Sequence, residues 1–304
     1  MKKRYRHIYN KLTNFELQIN DDSDRLISQD DIFGELEKKN RPRLLLNFYS
    51  EDGIQRALEE YGIFNSLKKR GFKDFIFCLD TDDPYLHKFR AYFDEKSADH
   101  LLCEVYLRKK TMTARPIFKS SIAGEEFTFI VIEWLLLQDP TSPFSPHRPP
   151  LPGQKFPGLK IGRKVLNIFM NMCIRLKTDG LINIPEHYHN AAFYSRHFSY
   201  FNPETEGYFR AIRRDLANQG LNTITWALEW DCVVEAKSGN TWKWITDDQI
   251  LPVSPKMESY FKSKAYKNSV EEYSQKVKFF IDDDEYERKK ALHEKASALH
   301  DIPG

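Results

Sequence analysis

A stretch of unusual composition near the middle of the chain sets the strongest limit on what it can fold into. Seven of its 15 prolines fall between Pro140 and Pro157. Proline lacks a backbone N–H and fixes φ near −65°, so this segment is neither the interior of a helix nor a central strand. We interpret it as either a stiff surface connection or a functional lid or binding loop.

The residues before this loop show the patterns of one strand, then one helix, then three further strands. A strand over 43–49 is predicted to begin the regular structure, and a helix that ends near Gly71 is predicted to follow it. Three antiparallel strands are predicted next, over 74–79, 101–107 and 127–137.

After the loop, apolar residues recur at the 3.6-residue spacing of an amphipathic helix. This helix is predicted from Leu159 to Lys177, and Gly180 lies just past its end. The elements predicted to follow are a strand over 181–184, helices over 191–198 and 204–218, a β-hairpin of 222–235 with 241–245, and a charged surface helix from Val270 onward.

Composition and charge exclude several classes of protein. The 304 residues include 46 Lys and Arg against 44 Asp and Glu, and 41% are hydrophobic, which excludes a disordered chain and a polybasic one. Short basic patches at 2–6 and 68–70 leave nucleic-acid binding only as a third hypothesis. The longest apolar run, 127–137, contains Glu133 and is shorter than the roughly 20 residues of a membrane span.

Cysteine usage and the first residues indicate a cytoplasmic protein. Cys78, Cys103, Cys173 and Cys232 lie far apart among apolar neighbours, without a Cys-x-x-Cys pair. We interpret them as reduced core residues, with disulfides or a zinc site as the alternative. The basic first residues have no apolar stretch behind them, so a secretory signal is not predicted.

Two glycines open the helix that follows the proline-rich loop. Gly158 and Gly162 lie in the run Pro157 to Leu166, where a turn feeds the helix. Such a turn leaves backbone N–H groups unpaired at the positive end of the helix dipole, which suits a pyrophosphate. A glycine at this position is also common as a simple cap or turn, and that alternative stays open.

A second segment, Asn190-Ala191-Ala192-Phe193-Tyr194 with Phe198 after it, completes a recognisable pattern. Together with the glycine turn, it resembles the GNAT superfamily of acyl-CoA-dependent N-acyltransferases. The resemblance implies an α+β fold: a mixed central sheet flanked by helices over 41–235. Residues 1–40 would form a polar N-terminal extension, and residues 236–304 would complete a β-hairpin and add a charged helical appendage. In this family the fourth and fifth strands splay apart around the pantetheine arm.

The resemblance also implies functional residues and a co-substrate. Acetyl-CoA or another acyl-CoA would be bound, with no metal, and the acyl group would pass to a small-molecule or protein amine. Glu133 would be the general base, and Tyr194 would protonate the leaving thiolate. The residues expected to bind the cofactor are Leu159, Lys160, Ile161, Gly162, Arg163 and Asn190. Two family glycines are absent, because Lys160 and His197 stand in their places.

Several of these residues also fit ordinary structural roles. Glu133 could instead face solvent or form an ion pair, and Tyr194 could be an ordinary core residue. His187 and His189 have metal-ligand spacing but no nominated third ligand, which favours structural or exposed histidines. The tryptophans at 226, 230, 242 and 244 suit a core better than a ligand cage.

The alternative function is a catalytically inactive GNAT-like module that binds a CoA-type ligand or a protein partner. A homodimer is one assembly compatible with either function.

Overall fold

The computed structural model describes residues 3–18 and 43–300. The chain forms two compact units, each assembled from separate stretches of sequence. The first contains the chain up to residue 111, together with 128–143 and 156–181, and the second contains 112–127, 144–155 and the residues from 182 onward. The domain boundaries after residues 40 and 235 stay predictions.

Within the described residues, four α-helices come first, four strands follow them, and short strands are interspersed with helices from residue 162 onward. The helices are α1 (Lys3–Lys11), α2 (Asn14–Gln18), α3 (Glu51–Glu60), α4 (Ile63–Lys68), α5 (Gly162–Arg175), α6 (Tyr188–Tyr194), α7 (Pro203–Asp215), α8 (Leu221–Glu229), α9 (Pro255–Lys262), α10 (Lys264–Lys276) and α11 (Asp283–His300). The strands are β1 (Phe75–Asp80), β2 (His87–Phe93), β3 (Leu101–Thr113), β4 (Glu126–Leu137), β5 (Gly180–Asn183), β6 (Ser199–Tyr200), β7 (Val233–Glu235), β8 (Gln249–Pro252) and β9 (Phe279–Ile281).

Seven of these strands form one mostly antiparallel sheet in the order β1-β2-β3-β4-β5-β8-β6. The expected α+β class, a central sheet with flanking helices, is therefore confirmed. In the ladder of β1 with β2, Phe75 lies opposite Phe93, and β2 pairs with β3 through a bulge at Ala91. The strands β7 and β9 form a separate antiparallel pair.

Strand β2 was not predicted. Its Lys88 and Arg90 lower the apolar character of the segment, but they alternate with buried Phe89 and Ala91 as a half-buried strand requires. Arg90 forms an ion pair with Glu104 on β3 (Nε–Oε1 2.6 Å), which compensates the charge on the sheet face.

The core of the first unit begins with residues that were expected to be a polar extension. Ile8 on α1, Leu17 on α2 and Leu12 between the two helices are buried, and the carbonyl of Leu17 accepts a hydrogen bond from the N–H of Ser50 (3.0 Å). Regular structure therefore begins near Lys3 rather than at residue 43. The rest of the predicted extension, residues 1–2 and 19–40, lies outside the described residues.

The strand predicted over 43–49 is wrong. This segment is a tight turn in which Leu46 and Asn47 have φ of 55° and 59°, and Leu45 and Tyr49 form its bridge. Its buried leucines produced the strand-like run, but the Leu46 N–H donates to His87 Nδ1 (2.7 Å) rather than to a ladder.

The helix predicted to end near Gly71 is two helices, α3 and α4, because Gly62 adopts a left-handed φ of 67° between them.

The C-terminal hairpin is wrong over most of its predicted length. Residues 221–229 form helix α8 instead of a strand, and β7 pairs with β9. Only the predicted turn is present. There the Glu235 N–H donates to the Asn240 carbonyl (2.9 Å), and Val234 forms an isolated β-bridge with Thr241. The single terminal helix from Val270 is also wrong, since α10, β9 and α11 occupy that region.

Candidate functional site

The glycine turn begins beside the end of strand β4. The N–H of Asp139 donates to the carbonyl of Pro157 (2.7 Å), and the N–H of Leu159 donates to the carbonyl of Leu137 (3.3 Å). The returning chain is therefore held alongside the strand it has just left. Leu159 anchors this segment because its side chain is buried.

Lys160 then turns the chain into helix α5 through a left-handed conformation. Its φ is 59°, a region that costs an L-residue roughly 1–2 kcal/mol and suits glycine. Gly162 has no positive φ, and a Cβ added to it would meet no atom within 4 Å.

The first backbone N–H groups at this end of α5 have no backbone acceptor. Among the described residues, the N–H groups of 160–163 donate no backbone hydrogen bond, and the first donations come from Lys164 and Val165 to the Ile161 carbonyl. The N-cap residue is Ile161, which has no side-chain oxygen to accept from them, and the first turn contains no acidic residue. We call the loop of residues 160–163, with these unpaired N–H groups, the open N-terminus of α5.

Basic side chains surround the open N-terminus of α5. Lys160 and Arg163 are exposed, and within the described part of the chain neither forms a hydrogen bond or ion pair through its side chain. Lys164 is held instead by the first unit, since its Nζ donates to the Gly62 carbonyl (2.5 Å) and to Ser66 Oγ (2.6 Å). Two free positive charges and a helix dipole therefore favour an anion at this loop.

Glu133 lies on β4 in the first unit, with its side chain paired to Arg108 Nε on β3. This ion pair is one of the alternatives that the sequence left open. Sequence reasoning did not find Arg108, because the register of β3 against β4 decides which of its basic residues faces Glu133. The one signal for it in the sequence was the basic run 108–110 in the preceding strand.

Asn190 and Tyr194 lie one turn apart on α6, in the second unit. Burial raises the pKa of Tyr194 to about 12, so its hydroxyl is protonated at neutral pH. Its ring packs on Phe198 at 5.4 Å, and among the described residues the hydroxyl has no hydrogen-bond partner. Glu133 and the glycine turn thus belong to one unit, and the two α6 residues belong to the other.

The histidine pair is built into the second unit. His187 Nδ1 lies 3.0 Å from Glu229 Oε2, and the two imidazoles stack at 5.4 Å. Burial, with a smaller contribution from His187, lowers the pKa of His189 to about 4. Within residues 3–18 and 43–300, no group of three or more His, Cys, Asp or Glu side chains could hold a metal ion.

The four tryptophans from 226 to 244 all pack against the buried core of the second unit. The four cysteines are free, and Cys173 and Cys232 are buried. Among the described helices, none combines the length and apolar character needed to cross a bilayer.

No protein-family model matches the chain, and no curated protein matches it in sequence.

Proposed function

We propose that this protein is an acyl-CoA-dependent N-acyltransferase whose co-substrate binds at the open N-terminus of α5. The observation that carries the proposal is the combination of N–H groups without backbone acceptors and two unpaired cations, Lys160 and Arg163. The pyrophosphate of coenzyme A is the anion that such a helix end suits. The strand order supports the proposal, because β5 lies next to β4 while the loop and α5 separate them in sequence.

The chemistry proposed is a direct attack of the amine nitrogen on the thioester carbonyl. A C–N bond forms and the C–S bond breaks, so the amine loses a proton and the departing thiolate gains one. Tyr194 is the proposed acid, because a phenol with a raised pKa still carries its proton. Glu133 is the proposed base, and its ion pair with Arg108 would have to open so that the carboxylate can take the proton of the amine.

The second candidate is a module that binds a CoA-type ligand or a protein partner without turnover. The Glu133–Arg108 ion pair favours it, since the carboxylate is already engaged. The left-handed Lys160, where the family has glycine, favours it as well. The transferase and the CoA-binding form of the module both predict CoA binding at α5, and only the transferase predicts acyl transfer to a small-molecule or protein amine.

Two measurements test the proposal in turn. Thermal melts with CoA and acetyl-CoA report binding, and a ligand at a hundred times its Kd should stabilise the fold by about 2.7 kcal/mol. No shift at millimolar concentration would exclude the transferase and the CoA-binding module, and would leave only a module that binds a protein partner. Turnover of acetyl-CoA with a panel of amines then separates the transferase from the module.

The proposed acid is tested by Tyr194→Phe, with Tyr188→Phe on the same helix as the matched control. Loss of a positioned acid should lower kcat by about 10²–10⁴-fold and leave CoA affinity nearly unchanged. Tyr188→Phe should keep the wild-type kcat. An active enzyme in which both variants retain full kcat would remove Tyr194 from the mechanism.

A further inference from the structure

A carboxylate–imidazole pair lies in the second unit, and the proposed acyl transfer has not yet used it. His187 immediately precedes helix α6, and its Nδ1 lies 3.0 Å from Oε2 of Glu229 at the end of α8. The two side chains keep 24% and 42% of their surface exposed, so small solutes can reach the pair. Within the described residues, Nε2 of His187 has no hydrogen-bond partner. The imidazole is therefore held through one nitrogen and free at the other.

The contact with Glu229 decides which nitrogen of His187 can take a proton. An ionised carboxylate only accepts hydrogen bonds, so Nδ1 carries the proton that is directed at Glu229. The lone pair of the neutral imidazole is then on Nε2. A proton added at Nε2 produces an imidazolium next to a carboxylate, and the opposite charges stabilise each other. The pair therefore has the arrangement of an oriented general base.

The histidine stacked on His187 does not oppose this charge. The ring of His189 lies nearly parallel to that of His187, with the centroids 5.4 Å apart. Burial, with a smaller contribution from His187, lowers the pKa of His189 to about 4. His189 is therefore neutral at neutral pH, and the stack carries at most one positive charge, which is next to Glu229.

The proline-rich loop passes close to the free nitrogen of His187. Gly153 has φ of 76°, and a Cβ added to it would lie 3.5 Å from His187 Nε2. The loop is fixed to α8, because the carbonyl of Pro150 accepts hydrogen bonds from Asn222 Nδ2 (3.0 Å) and Trp226 Nε1 (3.2 Å). The residue of the loop that approaches Nε2 thus has no side chain. The loop shields this nitrogen in part and places no bulky group on it.

His187 and the proposed acid Tyr194 lie at opposite ends of α6. Tyr194 comes seven positions after His187, which places both on one side of the helix, about 10 Å apart along its axis. During acyl transfer the amine nitrogen and the sulfur are bonded to the same carbonyl carbon. With a hydrogen bond of about 3 Å at each end, the groups that serve the nitrogen and the sulfur lie roughly 8 Å apart. The spacing along α6 is close to this separation.

We propose that His187, held by Glu229, takes the first proton from the amine substrate, an inference that rests on the proposed acyl transfer. An alkylamine with a pKa near the value of about 10.4 for lysine is protonated at neutral pH and cannot attack in that form. Its N–H bond breaks, the proton moves to Nε2, and the electron pair stays on the nitrogen that attacks. The second proton leaves when the C–N bond forms, and Glu133 stays its proposed acceptor. Water then takes the first proton from the partly exposed imidazolium.

The test measures acetyl-CoA turnover by the full chain, with the amine of the panel that the wild type acetylates fastest. At neutral pH, His187→Ala should lose about 10²-fold in kcat/KM, and about 50 mM imidazole should restore at least about tenfold of this loss. Glu229→Gln should lower turnover by about tenfold in the wild type and have no further effect in His187→Ala, because it acts through the imidazole. The control His147→Ala changes an exposed histidine of the same unit and should keep wild-type turnover with or without imidazole.

The outcomes distinguish this inference from the proposed function. A wild type that acetylates no amine of the panel would overturn both. An active wild type with an equally active His187→Ala, or a folded His187→Ala whose loss imidazole does not restore, would overturn only the inference. If His187→Ala does not fold, His187→Gln replaces it, since glutamine can still hydrogen-bond to Glu229 and cannot take the proton. A loss of about 10²-fold in His187→Gln would then support the inference, and unchanged turnover would overturn it.

Discussion

The two ends of helix α5 contrast in how their backbone groups are satisfied. At the C-terminal end, Lys177 N–H donates to the Ile174 carbonyl (3.2 Å) and Thr178 N–H donates to the Cys173 carbonyl (2.9 Å). The last turn also contains Arg175, whose positive charge suits the negative end of the helix dipole. The chain itself therefore completes this end.

The N-terminal end has the opposite character, although its backbone takes a similar path. Lys160 and Lys177 flank the helix with φ of 59° and 53°, so the same left-handed turn occurs on both sides. At the N-terminus, however, the positive charge of the lysine lies next to unpaired N–H groups at the positive end of the helix dipole. The fold leaves the positive charge at this helix end uncompensated, and a bound anion would compensate it.

The largest expected effect lies at the C-terminal end. Arg175 donates to the carbonyls of Tyr9 (3.0 Å) and Leu12 (2.9 Å), and its guanidinium stacks 4.5 Å from the Tyr9 ring. Arg175→Ala should lower the free energy of unfolding by about 3 kcal/mol, because charged hydrogen bonds and a ring contact are lost together. Urea unfolding measures it. Arg163→Ala is the matched control and should change stability by less than about 0.5 kcal/mol. Equal losses of stability in the two variants would show that the two ends of α5 do not differ in this way.

A negative charge placed at the open N-terminus of α5 should substitute for the ligand. A side chain at Gly162 meets open space, so Gly162→Glu is expected to raise the unfolding free energy of the ligand-free protein by about 1 kcal/mol. The same change should remove the thermal stabilisation by CoA, while Gly162→Ala should keep part of it. Thermal melts with and without CoA check both. Undiminished CoA stabilisation in Gly162→Glu would move the binding site away from α5.

The smallest effect separates charge from backbone strain. Lys160→Gly and Lys177→Gly relieve the same left-handed conformation, but only the first removes a charge that opposes the helix dipole. We expect Lys160→Gly to be more stable than Lys177→Gly by about 0.5 kcal/mol in the absence of ligand. Chemical denaturation of both variants measures the difference. The reverse order would show that dipole complementarity does not distinguish the two ends.

CoA affinity in Lys160→Gly decides the role of this lysine. Weaker binding than in the wild type would mean that its charge assists the phosphates. Tighter binding would mean that its side chain obstructs them.

Elements with a strong period were predictable from the sequence, and elements decided by distant packing were not. The apolar spacing in 159–177 and the continuous run in 127–137 predicted a helix and a strand close to the observed α5 and β4. The strand predicted over this part of 222–235 was wrong, because the β-branched residues Thr223, Ile224 and Thr225 suggest a strand. The helix forms because Ile224, Ala227 and Leu228, at helical spacing, are buried together in the second unit.

The site was predictable to the same limited degree. Glycine spacing located the turn before α5, since a turn into a helix is a local property of the chain. The left-handed φ of Lys160 and the ion pair of Glu133 with Arg108 were not predictable. The first depends on how the loop returns along β4, and the second depends on strand register, which no local pattern in this sequence specifies.

The hydrogen bonds from Arg175 to α1 and α2 also bear on the order of events during synthesis. Leu12 and Arg175 are 163 residues apart, so the first helices leave the ribosome long before their anchoring side chain exists. At about 5–20 residues per second, this interval lasts roughly ten to thirty seconds. During that time the apolar faces of Ile8, Leu12 and Leu17 have no completed core to cover them. The packing of α1 and α2 is therefore completed only after Arg175 has been synthesised.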